Sequence, residues 1–160
     1  MLRIIKILLI LSVAVFGLVG AFGNIDDWAG TKGAVAATTS MATFEGGASW
    51  RATSNPAVIL TGAVLIPLFK TIGALLCLAG AWRMWSARAA DVAVFAKAKT
   101  FALAGCMVLV FMLFAGWIVI AETWFELWRS DALRGPALDA AFRYAGFIGL
   151  IALIVGAREE

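Results

Sequence analysis

The stretch TFALAGCMVLVFMLFAGWIVIA, residues 100–121, decides the fold, because no charged residue interrupts it. At about 1.5 Å per residue, a helix of this length measures about 33 Å. The hydrocarbon core of a bilayer is about 30 Å thick. The sequence therefore predicts that residues 100–121 form a transmembrane helix.

Three further apolar runs flank this one. The first covers about residues 4–23 and is longer than the apolar part of a usual signal peptide, which favours a membrane span. The second covers about residues 57–82 and contains Pro67, which we expect to bend the helix. The last covers about residues 137–157. The whole chain of 160 residues is thus predicted to be one all-α membrane domain, a four-transmembrane-helix antiparallel bundle.

The connections between the runs differ in character. Residues 24–56 form a polar outer loop rich in glycine, threonine and serine, with a weak helical pattern over 31–41. After the third span, Glu122–Arg129 places its charged side chains on one helical face and its tryptophans on another. This amphipathic pattern predicts a short interfacial helix, which Gly135-Pro136 should end.

The composition excludes several classes of protein. Hydrophobic residues make up 63% of the chain and charged residues 14%, whereas soluble domains average about half and about a quarter. The absence of histidine excludes a His-ligated zinc, a bis-histidine haem and a Ser-His-Asp triad. No phosphate loop or dinucleotide fingerprint occurs, and no basic patch suits nucleic acid. We therefore expect membrane lipids as contacts, and no nucleic acid, catalytic residue, cofactor or metal.

The distribution of lysine and arginine predicts the orientation. Seven of these residues lie near the two termini and in the connection 83–99, while five lie in 24–56 and 122–143 together with seven acidic residues. The positive-inside rule then places both termini in the cytoplasm. The expected location is the inner (plasma) membrane of a bacterium.

Small residues recur at helical spacing in every span and predict close helix packing, since lipid gives little hydrophobic drive between helices. The packing residues are Gly17, Gly20, Gly73, Cys77, Cys106, Gly149 and Gly156. These stripes serve either the bundle itself or, for the first or fourth span, the docking of another subunit. The two cysteines are interpreted as packing residues, with a redox pair as the alternative.

Lys70 lies near the middle of the second span and is the candidate intramembrane functional residue or partner contact. A charge there costs about 2.5–3.5 kcal/mol on insertion scales, and no span has an acidic residue in its middle. Three explanations stay open. The side chain snorkels towards the interface, pairs with a carboxylate of a partner protein, or faces a polar cavity that binds an anion or substrate.

Charged residues at the loop side of the spans predict a second polar cluster. The residues of this expected outer-face network are Asp26, Asp27, Arg51, Glu122, Asp139 and Arg143. They are expected to form ion pairs that fix the helix ends, with Asp139 and Arg143 at i,i+4 spacing. The alternative is a binding or catalytic site built on Glu122 and Arg143.

Several short motifs carry a resemblance to a known family. They are Lys6–Val13 followed by Gly23-Asn24, Ser40-Met41, Trp50-Arg51-Ala52 with Asn55-Pro56, Gly80–Arg83, Glu122–Phe125 with Trp128, and Ala141–Arg143. With these motifs the chain resembles a bacterial family of small integral membrane proteins of unknown function, over nearly its whole length. The resemblance implies four membrane helices and an inner-membrane location. It implies no activity, cofactor or catalytic residue.

These features favour a small non-catalytic membrane protein that acts as an accessory or assembly subunit of a larger complex, or as a homo-oligomer. The alternative is a small transporter or channel component with Lys70 lining the path. A third reading is an interfacial membrane enzyme that uses Glu122 and Arg143.

Overall fold

The computed structural model describes residues 2–158, and within that range the chain is helical and contains no strand. Four helices are long and apolar enough to cross a membrane, which confirms the prediction of an all-α protein with four spans. The five main helices, of which α2 is the short one, are α1 (Leu2–Asp26), α2 (Trp28–Ser40), α3 (Pro56–Ser86), α4 (Val92–Trp124) and α5 (Asp131–Gly156).

All four spans extend beyond the apolar runs at one end or both, because polar residues near their ends continue the helices. α4 begins at Val92 rather than near residue 100, and its α-helical part passes through a turn at Lys99. The long outer loop is shorter than predicted, since α1 continues to Asp26 and α2 begins at Trp28. The irregular segment of this connection is limited to residues 41–55.

The start of α3 shows why this helix begins where it does. Asn55 precedes the helix, and its Oδ1 accepts a hydrogen bond of 2.9 Å from the backbone N–H of Ala57. Pro56 is the first helical residue, where its missing N–H removes no helical bond. Further along, the helix continues through Pro67 without a break.

The connection from α4 to α5 differs from the prediction. The expected interfacial helix over Glu122–Arg129 does not form; α4 ends at Trp124 and a single 3-10 turn covers Leu127–Arg129. Glu126 lies between them with φ 55° and ψ 38°, a left-handed conformation that no α-helix accommodates. The helix break therefore falls at Glu126.

The prediction that Gly135-Pro136 ends the interfacial helix and separates it from the fourth span was wrong. α5 already begins at Asp131, and the dipeptide lies inside it, within a π-helical segment over Arg134–Asp139. Local π-type turns re-satisfy backbone groups that a proline leaves without a partner in membrane helices. The second half of α4, Met112–Trp124, is also π-helical.

The four spans form a ring in which α1 packs on α3, α3 on α4, α4 on α5, and α5 on α1. Residues in contact run in opposite order along neighbouring helices. Gly17 faces Ala74 while Gly20 faces Lys70. We call the end of the bundle with residues 41–55 and 125–130 the loop face, and the end with residues 87–91 the terminal face.

Small side chains set the distance between α3 and α4. A Cβ at Gly73 would lie 2.6 Å from Leu109 Cγ, and one at Gly105 would lie 2.6 Å from Cys77 Sγ. At Gly80 an added Cβ would overlap the backbone of Ala102. These residues must be small for the two helices to touch. Of the residues predicted to pack, Gly73 and Cys77 of α3 lie at this interface. Gly105 of α4 also lies there and was not among the predicted packing residues.

The small residues of the first and last spans differ in whether they pack against another helix of the chain. Gly17 packs inside the chain, where a Cβ would lie 2.9 Å from that of Ala74. By contrast, a Cβ at Gly149 or at Gly146 would meet no atom within 4 Å, and Gly156 only approaches Leu103 at 3.8 Å. Gly146 and Gly149 of α5 therefore border space that no described part of the chain fills.

Candidate functional site

Lys70 reaches along the α1–α3 contact towards the loop face. Its Nζ donates to Asn24 Oδ1 at 2.6 Å and to the carbonyl of Gly20 at 3.4 Å. The absence of a side chain at Gly20 makes room for the lysine, since a Cβ there would lie 3.3 Å from Nζ. We call Lys70, Asn24 and Gly20, together with Thr31, the Lys70 site.

Asn24 is itself held in place by α2. Its amide Nδ2 donates to Thr31 Oγ1 at 3.0 Å, and the Thr31 hydroxyl donates to the Asn24 carbonyl at 2.9 Å. The side-chain oxygen of Asn24 is therefore turned towards Lys70, because its amide nitrogen is engaged by the threonine. The result is a chain of three polar side chains that links α3, α1 and α2.

The Lys70 site contains no acidic side chain. Within residues 2–158, the ion pairs join Arg51 with Glu126, Arg129 with Glu126, and Arg134 with Asp131, and none includes Lys70. Its ammonium is thus held by neutral oxygens. Lys70 is half-buried, and its reach to Asn24, near the end of α1, follows the direction that snorkelling requires.

A second polar cluster lies on the loop face around Glu126. Its carboxylate accepts from Arg51 Nη1 at 3.2 Å and from Arg129 Nη1 at 2.6 Å. Arg51 also donates to the carbonyls of Thr123 and Trp124. A left-handed non-glycine residue costs about 1–2 kcal/mol, which these charge-assisted bonds help to offset.

Arg129 joins the break after α4 to the loop 41–55. Its guanidinium donates to the carbonyl of Glu45, with Nε at 2.8 Å, and to that of Gly47 at 2.8 Å. The loop turns back at Gly46 and Gly47, both with positive φ (77° and 80°) that suits glycine. A small apolar cluster beneath it includes Met41 and Phe44.

The structure does not bring together the six residues of the expected outer-face network. Arg51 pairs with Glu126, which is not one of the six. Asp27 caps α2, its Oδ1 accepting from Gly30 N–H at 2.9 Å, and Asp26 is exposed. Within residues 2–158, no ion pair joins any two of the six. Glu122 is half-buried, Asp139 is exposed, and Arg143 is exposed with its guanidinium 5.3 Å from the Tyr144 ring.

The terminal face holds two buried lysines, which in the sequence contribute only to the charge that predicts orientation. Lys6 and Lys99 are 2% and 3% exposed, and their Nζ atoms donate to the Ala157 carbonyl at 3.0 and 2.9 Å. This carbonyl lies just past the end of α5, where the helix dipole favours positive charge. Arg3 reaches the carbonyls of residues 88 and 90 from α1. These contacts tie α1, α4 and α5 together.

The two cysteines are free thiols, one in α3 and one in α4, and both lie where these helices touch. Cys77 and Cys106 are both buried, and Cys77 Sγ lies 3.7 Å from the Ala102 carbonyl oxygen. Their place at the α3–α4 contact agrees with the packing interpretation. In the part of the chain that the structure describes, no three His, Cys, Asp or Glu side chains converge where they could hold a metal ion.

Sequence reasoning missed residues whose role depends on tertiary contacts. Asn24 stands at the end of an apolar run, where a polar amide was a usable signal. Glu126 and Arg129 have i,i+3 spacing, but the left-handed break at Glu126 has no local signature. For the burial of Lys99, the usable signal was the aromatic residue four positions earlier, Phe95, whose ring lies 5.3 Å from the lysine Nζ.

Of the comparisons with known proteins, one identifies a family of membrane proteins. No curated protein and no solved structure matches the chain significantly. One family model matches residues 2–158, that of the predicted small integral membrane proteins (DUF2165). Since the match covers nearly the whole chain, this protein belongs to that family of integral membrane proteins.

Proposed function

We propose that the protein is a non-catalytic accessory or assembly subunit of a larger complex in a bacterial inner membrane. The observation that carries the proposal is the Lys70 site, where an ammonium group in a membrane span has only neutral oxygen partners among the described residues. Neutral acceptors offset part of the roughly 2.5–3.5 kcal/mol that such a charge costs. A carboxylate from a partner helix would offset more, because its negative charge adds a Coulomb attraction that a neutral oxygen does not provide.

The surroundings of the Lys70 site permit a helix to approach. Lys70 is half-buried rather than enclosed. Gly23, the residue before Asn24, is exposed, and a Cβ there would meet nothing within 4 Å. Small residues of this kind let helix backbones come close in a membrane. A partner helix seated there would bring its own side chains near the ammonium.

The small amount of chain outside the spans also supports a role within the membrane. Apart from α2, the described connections are residues 41–55, 87–91 and 125–130. None of these segments is long enough to form a soluble domain with its own core. Binding surfaces of the helices are therefore the main means of interaction.

We also propose that the termini lie in the cytoplasm. The terminal face carries Arg3, Lys6, Arg88 and Lys99. An excess of lysine and arginine in short connections marks the cytoplasmic side.

The two other hypotheses have less support. A transport path along Lys70 needs a passage that the lysine lines, whereas the large groove between α3 and α4 is lined by other residues. An interfacial enzyme built on Glu122 and Arg143 needs the two side chains to converge, and no hydrogen bond or ion pair joins them within the described chain.

A carbodiimide that enters membranes tests the proposal directly, because it condenses an adjacent amine and carboxylate into an amide. The full chain is cross-linked in its native membrane, extracted in mild detergent and analysed by peptide mass spectrometry. We expect a peptide that joins Lys70 to an aspartate or glutamate in a membrane span of another protein.

Charge variants provide the controls. Lys70→Arg should keep the partner but lose the cross-link, and Lys70→Glu should lose both. Lys32→Glu, which alters an exposed lysine of α2, should lose neither. Recovery of the wild type as a lone chain, or a cross-link from Lys70 only to a second copy of this chain, would contradict the accessory role.

A further inference from the structure

An apolar groove of about 660 Å³ opens between α3 and the π-helical half of α4, beneath α2. Its volume falls in the range of about 300–1,000 Å³ that is usual for ligand sites. The lining is almost wholly apolar and includes Leu65, Phe69, Phe111 and Gly116. α2 contributes Val35 and two threonines at the end nearer the loop face.

The length of the groove matches one leaflet of a bilayer. On α3 its lining runs from Ala57, at the loop-face end of the helix, to Phe69. This distance is about 18 Å at 1.5 Å per residue, and half of a hydrocarbon core is about 15 Å. The groove thus extends from the loop face to the region of the bilayer midplane, the depth of a single acyl chain.

A cationic and aromatic cluster stands at the loop-face end. The Arg51 guanidinium lies 5.5 Å from the Trp50 ring and 5.2 Å from the Trp124 ring. It bonds to the carbonyl of Trp124, the residue before Phe125, which lines the groove. From the other side, Thr53 N–H donates to the carbonyl of Thr39, another lining residue.

Arg51 also carries one hydrogen-bond donor that has no acceptor. Its Nε is buried and has no hydrogen-bond partner in the described chain, although Nη1 is bound to Glu126 and two carbonyls. A buried donor without an acceptor calls for a ligand or water. Arg51 and Arg129 flank the carboxylate of Glu126, so these three side chains together carry one net positive charge.

We propose that this groove binds one phospholipid with an anionic headgroup, one of its two acyl chains lying along α3 and α4 and its phosphate at Arg51. The hydrophobic effect gives little preference for the groove over the surrounding lipid. Close packing in the groove and the bond to the guanidinium therefore decide the affinity. Tryptophan at the headgroup level suits the same arrangement.

Lipid retention on the full chain tests the proposal. The protein is reconstituted in bilayers with equal amounts of phosphatidylglycerol and phosphatidylcholine, extracted in mild detergent and weighed by native mass spectrometry. We expect one retained phosphatidylglycerol per chain. Both lipids contain the phosphate, but only phosphatidylglycerol carries a net negative charge. Since a bond to a charged group contributes about 1.5–3 kcal/mol, Arg51→Gln should lower the affinity for phosphatidylglycerol at least about tenfold.

Two matched pairs of variants make the result specific. Gly116→Phe fills the groove, and Gly146→Phe places the same ring on open space of α5, since a Cβ meets nothing within 4 Å at either glycine. Only the first should lose the lipid, and Gly116→Leu serves where the larger ring disturbs folding. Arg134→Gln, which alters an exposed arginine of the same face, should leave the affinity for phosphatidylglycerol unchanged.

Several outcomes would overturn the proposal. Equal lipid retention by the Gly116 and Gly146 variants would show that the groove holds no lipid. Equal retention of both lipids by the wild type would contradict the preference for an anionic headgroup, and unchanged affinity in Arg51→Gln would remove the role of Arg51. A dimer that only the Gly116 variants dissociate would assign the groove to a second copy of the chain.

Discussion

Replacement of Gly80 by alanine tests the packing of α3 on α4. The added Cβ would lie 2.5 Å from Ala102 Cα and would overlap the backbone nitrogen of Ala102 itself. Because the obstacle is backbone rather than a flexible side chain, the helices must separate by several tenths of an ångström or more. Overpacking of this kind costs about 1–3 kcal/mol, and we expect the upper part of that range.

Gly146→Ala is the matched control for Gly80→Ala. Both substitutions exchange glycine for alanine inside a helix and share the gain of about 1 kcal/mol in helix propensity. At Gly146 the new methyl meets nothing within 4 Å. The difference between the two variants thus isolates the steric clash and should approach about 3 kcal/mol in the free energy of unfolding.

The assay is equilibrium unfolding of the purified chain in mixed micelles, followed by circular dichroism. Gly80→Ala should shift the midpoint to lower denaturant, while Gly146→Ala should match or exceed the wild type. Variants that agree within about 0.5 kcal/mol, the scatter of ordinary surface substitutions, would refute the packing of Gly80 on Ala102.

Three further predictions concern the polar contacts and the thiols. Asn24→Leu removes the short acceptor of Lys70 and should destabilise the fold by about 1–3 kcal/mol, while adding Lys70→Met should recover most of the loss; additive effects in this double-mutant cycle would contradict the bond. Arg129→Lys loses the planar fork that reaches the carbonyls of Glu45 and Gly47 and the Glu126 carboxylate together, and should lower stability by about 1–2 kcal/mol, with faster proteolysis of the loop 41–55 as the readout. Cys77 and Cys106 are fully buried and should react with a maleimide only after unfolding, so rapid labelling of the folded protein would count against their position.

The number and approximate location of the spans could be predicted from the sequence, because a backbone inside lipid must satisfy its own hydrogen bonds and needs a long apolar run to do so. The ends of the helices could not. Residues 92–99 contain two lysines and continue α4, since Lys99 finds an acceptor in a carbonyl of another helix. That bond depends on the tertiary fold.

The break between α4 and α5 shows a second limit. Gly135-Pro136 is a strong local stop signal, yet the helix passes through it in a π-type turn. Glu126 has no such signal and ends the preceding helix, because Arg51 and Arg129 converge on its carboxylate. The two arginines come from segments more than seventy residues apart, so no window of sequence contains the cause.

The candidate sites also combine residues that the sequence predicts with residues that only the tertiary fold identifies. Lys70 was predicted as the residue that needs an explanation, since a charge in an apolar run is visible in the sequence. Its acceptor Asn24 lies 46 positions away, and only the packing of α1 on α3 identifies it. The acidic and basic residues expected to meet on the loop face were chosen by end-of-helix position alone, which does not determine side-chain pairing.

The four membrane crossings are the central claim, and labelling of single cysteines in sealed vesicles measures them directly. Ala42→Cys and Ala132→Cys place exposed thiols on the loop face, and Leu2→Cys, Ala89→Cys and Arg158→Cys place them on the terminal face, while both native thiols are buried. An impermeant maleimide should label the first two from one side of the membrane and the other three from the opposite side. Labelling of any neighbouring pair of positions along the chain from the same side would contradict the four crossings.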